Sequence, residues 1–145
     1  MKTLLIACGN PLRGDDGIAH AVLAMLRRPA DSRRVQQLTP ESASDLAEFD
    51  CVIFLDADAS VASCTIERAA TADSFARLTH EASPAEIIHL ARVLFHFSGD
   101  GFVCRIPAVD FSFREGLCPQ AEAAALEAAR QLEFFLLEQR AAAGE

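Results

Sequence analysis

Along this chain, short runs of consecutive apolar residues alternate with stretches in which apolar residues recur every three or four positions. Residues 3–8 (TLLIAC) are apolar after the threonine and are closed by Gly9-Asn10-Pro11, which reads as a buried first strand followed by a turn. Asp15 then stands where an N-cap belongs, and Ile18, Val22, Leu23 and Leu26 keep helical spacing until Arg27-Arg28-Pro29 ends the pattern. Arg34 to Leu38 is a weak second strand, and Thr39-Pro40-Glu41-Ser42 carries the cap chemistry of a short helix reaching about Phe49. Cys51 to Leu55 (CVIFL) is a wholly apolar third strand that ends on Asp56. Residues 63–69 (SCTIERA) alternate like a half-exposed strand at a sheet edge. Ser83-Pro84-Ala85-Glu86 caps a helix carrying Ile87, Ile88, Ala91, Leu94 and Phe95, and Ser98 to Gly101 reads as a loop. Phe102 to Ile106 supplies the next strand, and Pro119 opens a long helix to about Arg140 with Leu126, Leu132 and Leu136 on its buried side.

This order predicts an α/β fold: a three-layer, doubly wound, mostly parallel sheet of about five strands, with helices on both faces and one antiparallel edge strand. With strand order 2-1-3-4-5, the turn after the first strand and the tip of the third meet outside the carboxyl ends of the strands, where such sheets bind ligands. At 145 residues, the chain reads as one domain spanning 1–145.

Composition narrows the function. A hydrophobic content of 51% excludes a disordered chain, and no apolar run approaches the roughly 20 residues that span a bilayer. The apolar run after Met1-Lys2 is too short for a signal peptide, so a soluble, cytoplasmic protein is expected. A net charge of −8, with Lys2 the single lysine, argues against nucleic acid, whose affinity comes from neutralised phosphates. Five cysteines without a C-x-x-C signal neither a disulfide framework nor a zinc knuckle, and Cys8, Cys51 and Cys104 read as small buried hydrophobes. The absence of Trp and Tyr removes the usual platforms for sugars.

The candidate chemistry lies in the acids and histidines. As an N-cap, Asp15 explains itself, contributing about 1 kcal/mol. Asp56, a carboxylate directly after five apolar residues, needs a partner, because an unpaired buried charge costs several kcal/mol. The fold logic brings it beside Asp16, and two carboxylates together want a cation between them. His20 follows Asp16 by four residues but lies in an apolar stripe, while His89 and His96 suit structural roles. His80 sits in a polar connection, Leu78-Thr79-His80-Glu81-Ala82, that returns to the same sheet edge as Asp56. Asp16, Asp56 and His80 then form an O, O, N ligand set with open positions, suited to nickel, zinc or manganese.

The stretch from Gly9 to Ala19, GNPLRGDDGIA, resembles the opening motif of the hydrogenase maturation proteases, G-N-x-L-x-x-D-[DE]-x-x-G. Leu55-Asp56-Ala57 resembles the D-A pair that ends that family's third strand, and Thr79-His80 before Ala85-Glu86-Ile87-Ile88 resembles its histidine segment. The resemblance implies an endopeptidase that removes the C-terminal extension of a nickel-iron hydrogenase large-subunit precursor after nickel insertion. It assigns catalysis and metal contact to Asp16, Asp56 and His80. The nickel arrives with the precursor, so the isolated protein, expected to be a monomer, carries no metal of its own. Two departures stand out: Ala19 replaces the motif's last glycine, and Asp58 to Ser63 contains no glycine where the family has G-x-x-P-G. Both loops flank the cleft and bear on which hydrogenase is the partner.

Rival readings fit less well. A phosphoacceptor receiver domain sets its acids immediately after its first strand and needs a lysine after the fifth, whereas here seven residues precede Asp16 and the lone lysine is Lys2. A dinucleotide-binding module lacks its G-x-G-x-x-G, and a conventional zinc peptidase lacks H-E-x-x-H. A catalytically silent adaptor for hydrogenase precursors is the remaining alternative.

Overall fold

A computed structural model describes residues 1–27, 30–72 and 82–145. Among the described residues, five strands form one sheet: β1 (Thr3–Cys8), β2 (Asp31–Val35), β3 (Cys51–Asp58), β4 (Thr65–Arg68) and β5 (Asp100–Pro107). The helices are α1 (Ile18–Met25), α2 (Pro84–Phe95) and α3 (Pro119–Ala142), with short 3-10 helices at Gly14–Gly17 and Pro40–Leu46.

The sheet runs β2-β1-β3-β5-β4, parallel throughout except for β4, which pairs antiparallel with β5. The mostly parallel sheet with one antiparallel edge strand is as expected, but the order 2-1-3-4-5 is corrected at its end. Only residues 59–64 separate β3 from β4, too few for the crossover a parallel neighbour requires. The chain therefore turns back at the carboxyl edge, lays β4 down at the rim, and leaves the central place beside β3 to β5, reached through α2.

Alternation along the strands builds the two outer layers. Leu5, Ala7, Ile53, Leu55, Phe102, Cys104 and Ile106 face α1 and α3. Leu4, Ile6, Cys8, Val52 and Phe54 face the other way, toward α2 and the Pro40–Leu46 helix. Residues buried on both faces read as continuous apolar runs, which is why β1 and β3 are so plain in the sequence.

The edges and ends differ more. β2 occupies Asp31–Val35 rather than Arg34–Leu38, because its register with β1 pairs Leu4 with Asp31 and Cys8 with Val35. As an edge strand with four exposed residues, it carries no apolar pattern to read. On α3, Leu126 is exposed, and the buried stripe is instead Ala121, Ala125, Ala128, Ala129, Leu132 and Leu136. Small residues let α3 approach α1 and the sheet closely. On α2, Ile87, Ile88 and Ala91 are buried as expected, while Leu94 and Phe95 lie exposed in its last turn. Its capping box forms as the sequence predicts, with the Glu86 N–H donating to Ser83 Oγ at 3.2 Å and Ser83 N–H to Glu86 Oε1 at 3.1 Å.

Candidate functional site

The turn after β1 begins at Gly9, whose φ of +139° is glycine territory. A Cβ there would sit 1.9 Å from the Asp16 carbonyl oxygen, so the glycine is what allows the end of β1 to pack against the start of the helix. From this close approach the Asp16 carboxylate reaches back and accepts the Asn10 N–H at 2.7 Å. His20, half-buried on α1, holds the same turn from the other side through Nε2, 2.8 Å from the Gly9 carbonyl.

At the carboxyl edge of β1 and β3 lies a polar cavity of about 280 Å³. Asp16 and Asp56 both line it, together with Cys8, Gly9, Asn10, Arg13, Gln36 and Gln37. Asp56 is the first exposed residue of β3, but the strand continues two residues beyond it, pairing Asp58 with Pro107 of β5. It thus meets solvent at the cavity rather than being buried as the apolar run before it suggested. His80 lies outside the described residues. Among the described residues, no cluster of three or more His, Cys, Asp and Glu side chains is arranged to hold a metal ion. A metal at this cavity therefore needs ligands in addition to Asp16 and Asp56.

Three lining residues escape sequence reasoning. Gln36 and Gln37 belong to the expected second strand, but β2 ends at Val35, so both fall in the loop at the cavity. Two glutamines inside a supposed strand are the signal that was available. Arg13 adds a cationic side chain to the lining; its Nε donates to the Phe111 carbonyl at 3.3 Å, and its guanidinium carbon lies 5.1 Å from the Phe113 ring centroid. Nothing local in sequence foretells a contact across about a hundred residues.

Asp15 is not a helix cap. The residue capping α1 is Gly17, and Asp15 is fully buried, with its carboxylate turned toward the loop between β5 and α3. It accepts the N–H groups of Val109 (2.9 Å), Asp110 (2.8 Å) and Cys118 (2.9 Å), and the Cys118 thiol at 3.1 Å. Burial pushes its pKa up, but the bonds from Asp110, Cys118 and Val109 outweigh that and hold the carboxyl below the ordinary carboxylate value. Main-chain bonds Asp15 to Asp110 (2.8 Å), Gly14 to Arg114 (2.8 Å) and Arg114 to Leu12 (3.0 Å) complete the seam. The loop bearing Asp16 is thereby fastened to a second loop, so the cavity wall is braced from behind.

The remaining histidines stay out of the cavity lining. His89 is half-buried on α2, and His96 ends that helix in the left-handed conformation with φ 58°.

No family model matches the chain, and no curated protein matches it in sequence. Solved structures do match. The hydrogenase-maturating endopeptidase HybD from E. coli superposes with a TM-score of 0.72 at 21% identity, over 96% of this chain and 94% of that one. The NiFe hydrogenase maturation protease HybD from Thermococcus kodakarensis gives 0.69 at 16% identity, over 93% and 99%. The hydrogenase 2 maturation peptidase from Thaumarchaeota archaeon SCGC_AB-539-E09 gives 0.62 at 22% identity, over 94% and 98%. Over nearly its whole length, then, the chain carries the fold of the hydrogenase maturation endopeptidases.

Proposed function

We propose that this protein is an endopeptidase that removes the C-terminal extension of a nickel-iron hydrogenase large-subunit precursor once nickel is in place. The observation that carries the reading is the shared cavity: Asp16 and Asp56, 40 positions apart in sequence, open into one polar recess on a fold common to hydrogenase maturation endopeptidases. His80 is the third member of the set. Two residues after it, the Ala82 N–H donates to the Leu38 carbonyl at 3.1 Å, next to cavity residues Gln36 and Gln37, which supports including it.

In this reading the nickel is part of the substrate. Cysteines of the precursor hold it on one side, and Asp16, Asp56 and His80 contact it on the other, which fixes the C-terminal segment across the cavity. A metal so placed polarises a carbonyl or activates water, chemistry for which no side-chain nucleophile with a paired base is evident among the described residues. The Asn10 N–H keeps Asp16 oriented, and the fastened loop behind it limits its movement.

The test is processing of nickel-loaded precursor, read as the shortened product on a gel. Wild type is expected to cleave, and Asp16→Asn, Asp56→Asn and His80→Ala to lose activity by about 100-fold. Full processing by all three variants would sink the residue assignment. Stable binding without cleavage by wild type would identify an adaptor instead.

A further inference from the structure

Away from the cavity, the fold brings two thiols together. Cys64, immediately before β4, and Cys104, within β5, place their sulfurs 3.6 Å apart across 40 positions of sequence. The register explains it: Ile66 pairs with Cys104, and Cys64, two residues before Ile66, shares its face of the strand and lies diagonally beside Cys104.

The two thiols are not equivalent. Cys104 is buried in the core, whereas Cys64 is half-buried and lines a cavity of about 490 Å³ between the loop after β3 and the first turns of α3. A hydrogen bond from the Cys104 thiol pulls the Cys64 pKa below its ordinary value, against burial and the Glu127 carboxylate. The same bond, with burial, pushes Cys104 up. Cys64 is thus the sulfur that meets the cavity and ionises the more readily of the two, while Cys104 stays in the core.

We propose that Cys64 and Cys104 form a peroxide-responsive dithiol, with Cys64 the residue oxidised and Cys104 its resolving partner. In the first step, the Cys64 thiolate attacks a peroxide oxygen: an S–O bond forms, the O–O bond breaks, and hydroxide leaves. In the second, the Cys104 sulfur attacks that of Cys64: the S–S bond forms, the S–O bond breaks, and the departing hydroxide takes the Cys104 proton as water. The two sulfurs supply the two electrons that reduce the peroxide. Because Cys64 lies outside β4, the loop 59–64 takes up the closing movement and the pairing of β4 with β5 is left intact. Cys118, also half-buried, is distinguished by its thiol proton being held on Asp15.

The full chain is treated with hydrogen peroxide, free thiols are alkylated, and tryptic peptides are sequenced by fragmentation in the mass spectrometer, with and without prior reduction, because Cys51 and Cys64 share the peptide 35–68. Wild type is expected to lose two hydrogens and yield a Cys64–Cys104 cross-linked peptide that dithiothreitol separates. Cys104→Ser and Cys104→Ala are expected to leave Cys64 unresolved, gaining oxygens, and Cys64→Ser to leave Cys104 unmodified. Two mutants at position 104, each checked by circular dichroism, separate loss of the partner from loss of the fold. Undiminished alkylation of Cys64 in treated wild type, a cross-link to another cysteine, or the same oxygenated Cys64 with and without Cys104 would overturn the proposal.

Discussion

Two neighbouring carboxylates, Asp15 and Asp16, behave as different residues because their side chains leave the chain in different directions. Asp16 borders the polar recess and accepts the Asn10 N–H; Asp15 points inward and accepts four donors from the β5–α3 loop. Replacing Asp15 by Asn leaves one accepting oxygen and turns an NH2 group toward the donors on the other side, and each unsatisfied buried donor costs about 1–3 kcal/mol. Asp15→Asn is expected to lower stability by about 3 kcal/mol in urea titrations. Because the folded carboxyl titrates below its unfolded value of 3.8, its contribution is complete above that range and fades as pH falls through the folded value. The variant should therefore lose less stability than wild type between about pH 5 and pH 2, when urea midpoints are compared. Gly9→Ala acts on Asp16 instead: its methyl group meets the Asp16 carbonyl in a backbone conformation that disfavours L side chains. A loss of about 3 kcal/mol is expected by thermal denaturation, with the Asp16 amide resonance shifted in NMR spectra.

At the scale of elements, legibility followed burial. β1, β3 and β5 are buried on both faces and announce themselves as apolar runs, and α2 is announced by its capping box. β2 does not, since its position is set by hydrogen bonding to β1 rather than by its own side chains. The buried face of α3 is legible in part: Leu132 and Leu136 lie in the core as expected, whereas close packing sets alanines beside them and leaves Leu126 64% exposed. Leu132→Ala, at a fully buried position, is expected to cost about 3 kcal/mol, and Leu126→Ala less than about 0.5 kcal/mol, by chemical denaturation. Of the site, the acid pair and its approach to β3 were readable from turn chemistry and strand ends. Arg13 and the seam to residues 109–118 were not, because they arise from contacts between loops with no periodic pattern.

For the molecule as a whole, topology does the assembling. β1 and β3 are adjacent although a crossover separates them in the chain, so Asp16 and Asp56 share a recess that neither loop forms alone. A net charge of −8 disfavours association with a polyanion. Under the proposed function, discrimination rests on what the partner carries into the recess. With Arg13 already in the lining beside Asp16 and Asp56, nickel carried by the precursor is what fixes the C-terminal segment at the recess, so precursor without nickel is expected to be left uncut while loaded precursor is shortened, in the same gel assay.

The Asp15 seam also bears on how such a protein diverges. Three of its four side-chain bonds go to main-chain N–H groups, which every residue except proline supplies. Apart from Gly116, with its φ of +89°, and the exclusion of proline at the donor positions, the loop from Val109 to Leu117, with its exposed Phe113, can change in sequence without releasing its grip on the β1 turn. Its side chains can drift over evolutionary time while the wall of the recess is inherited unchanged.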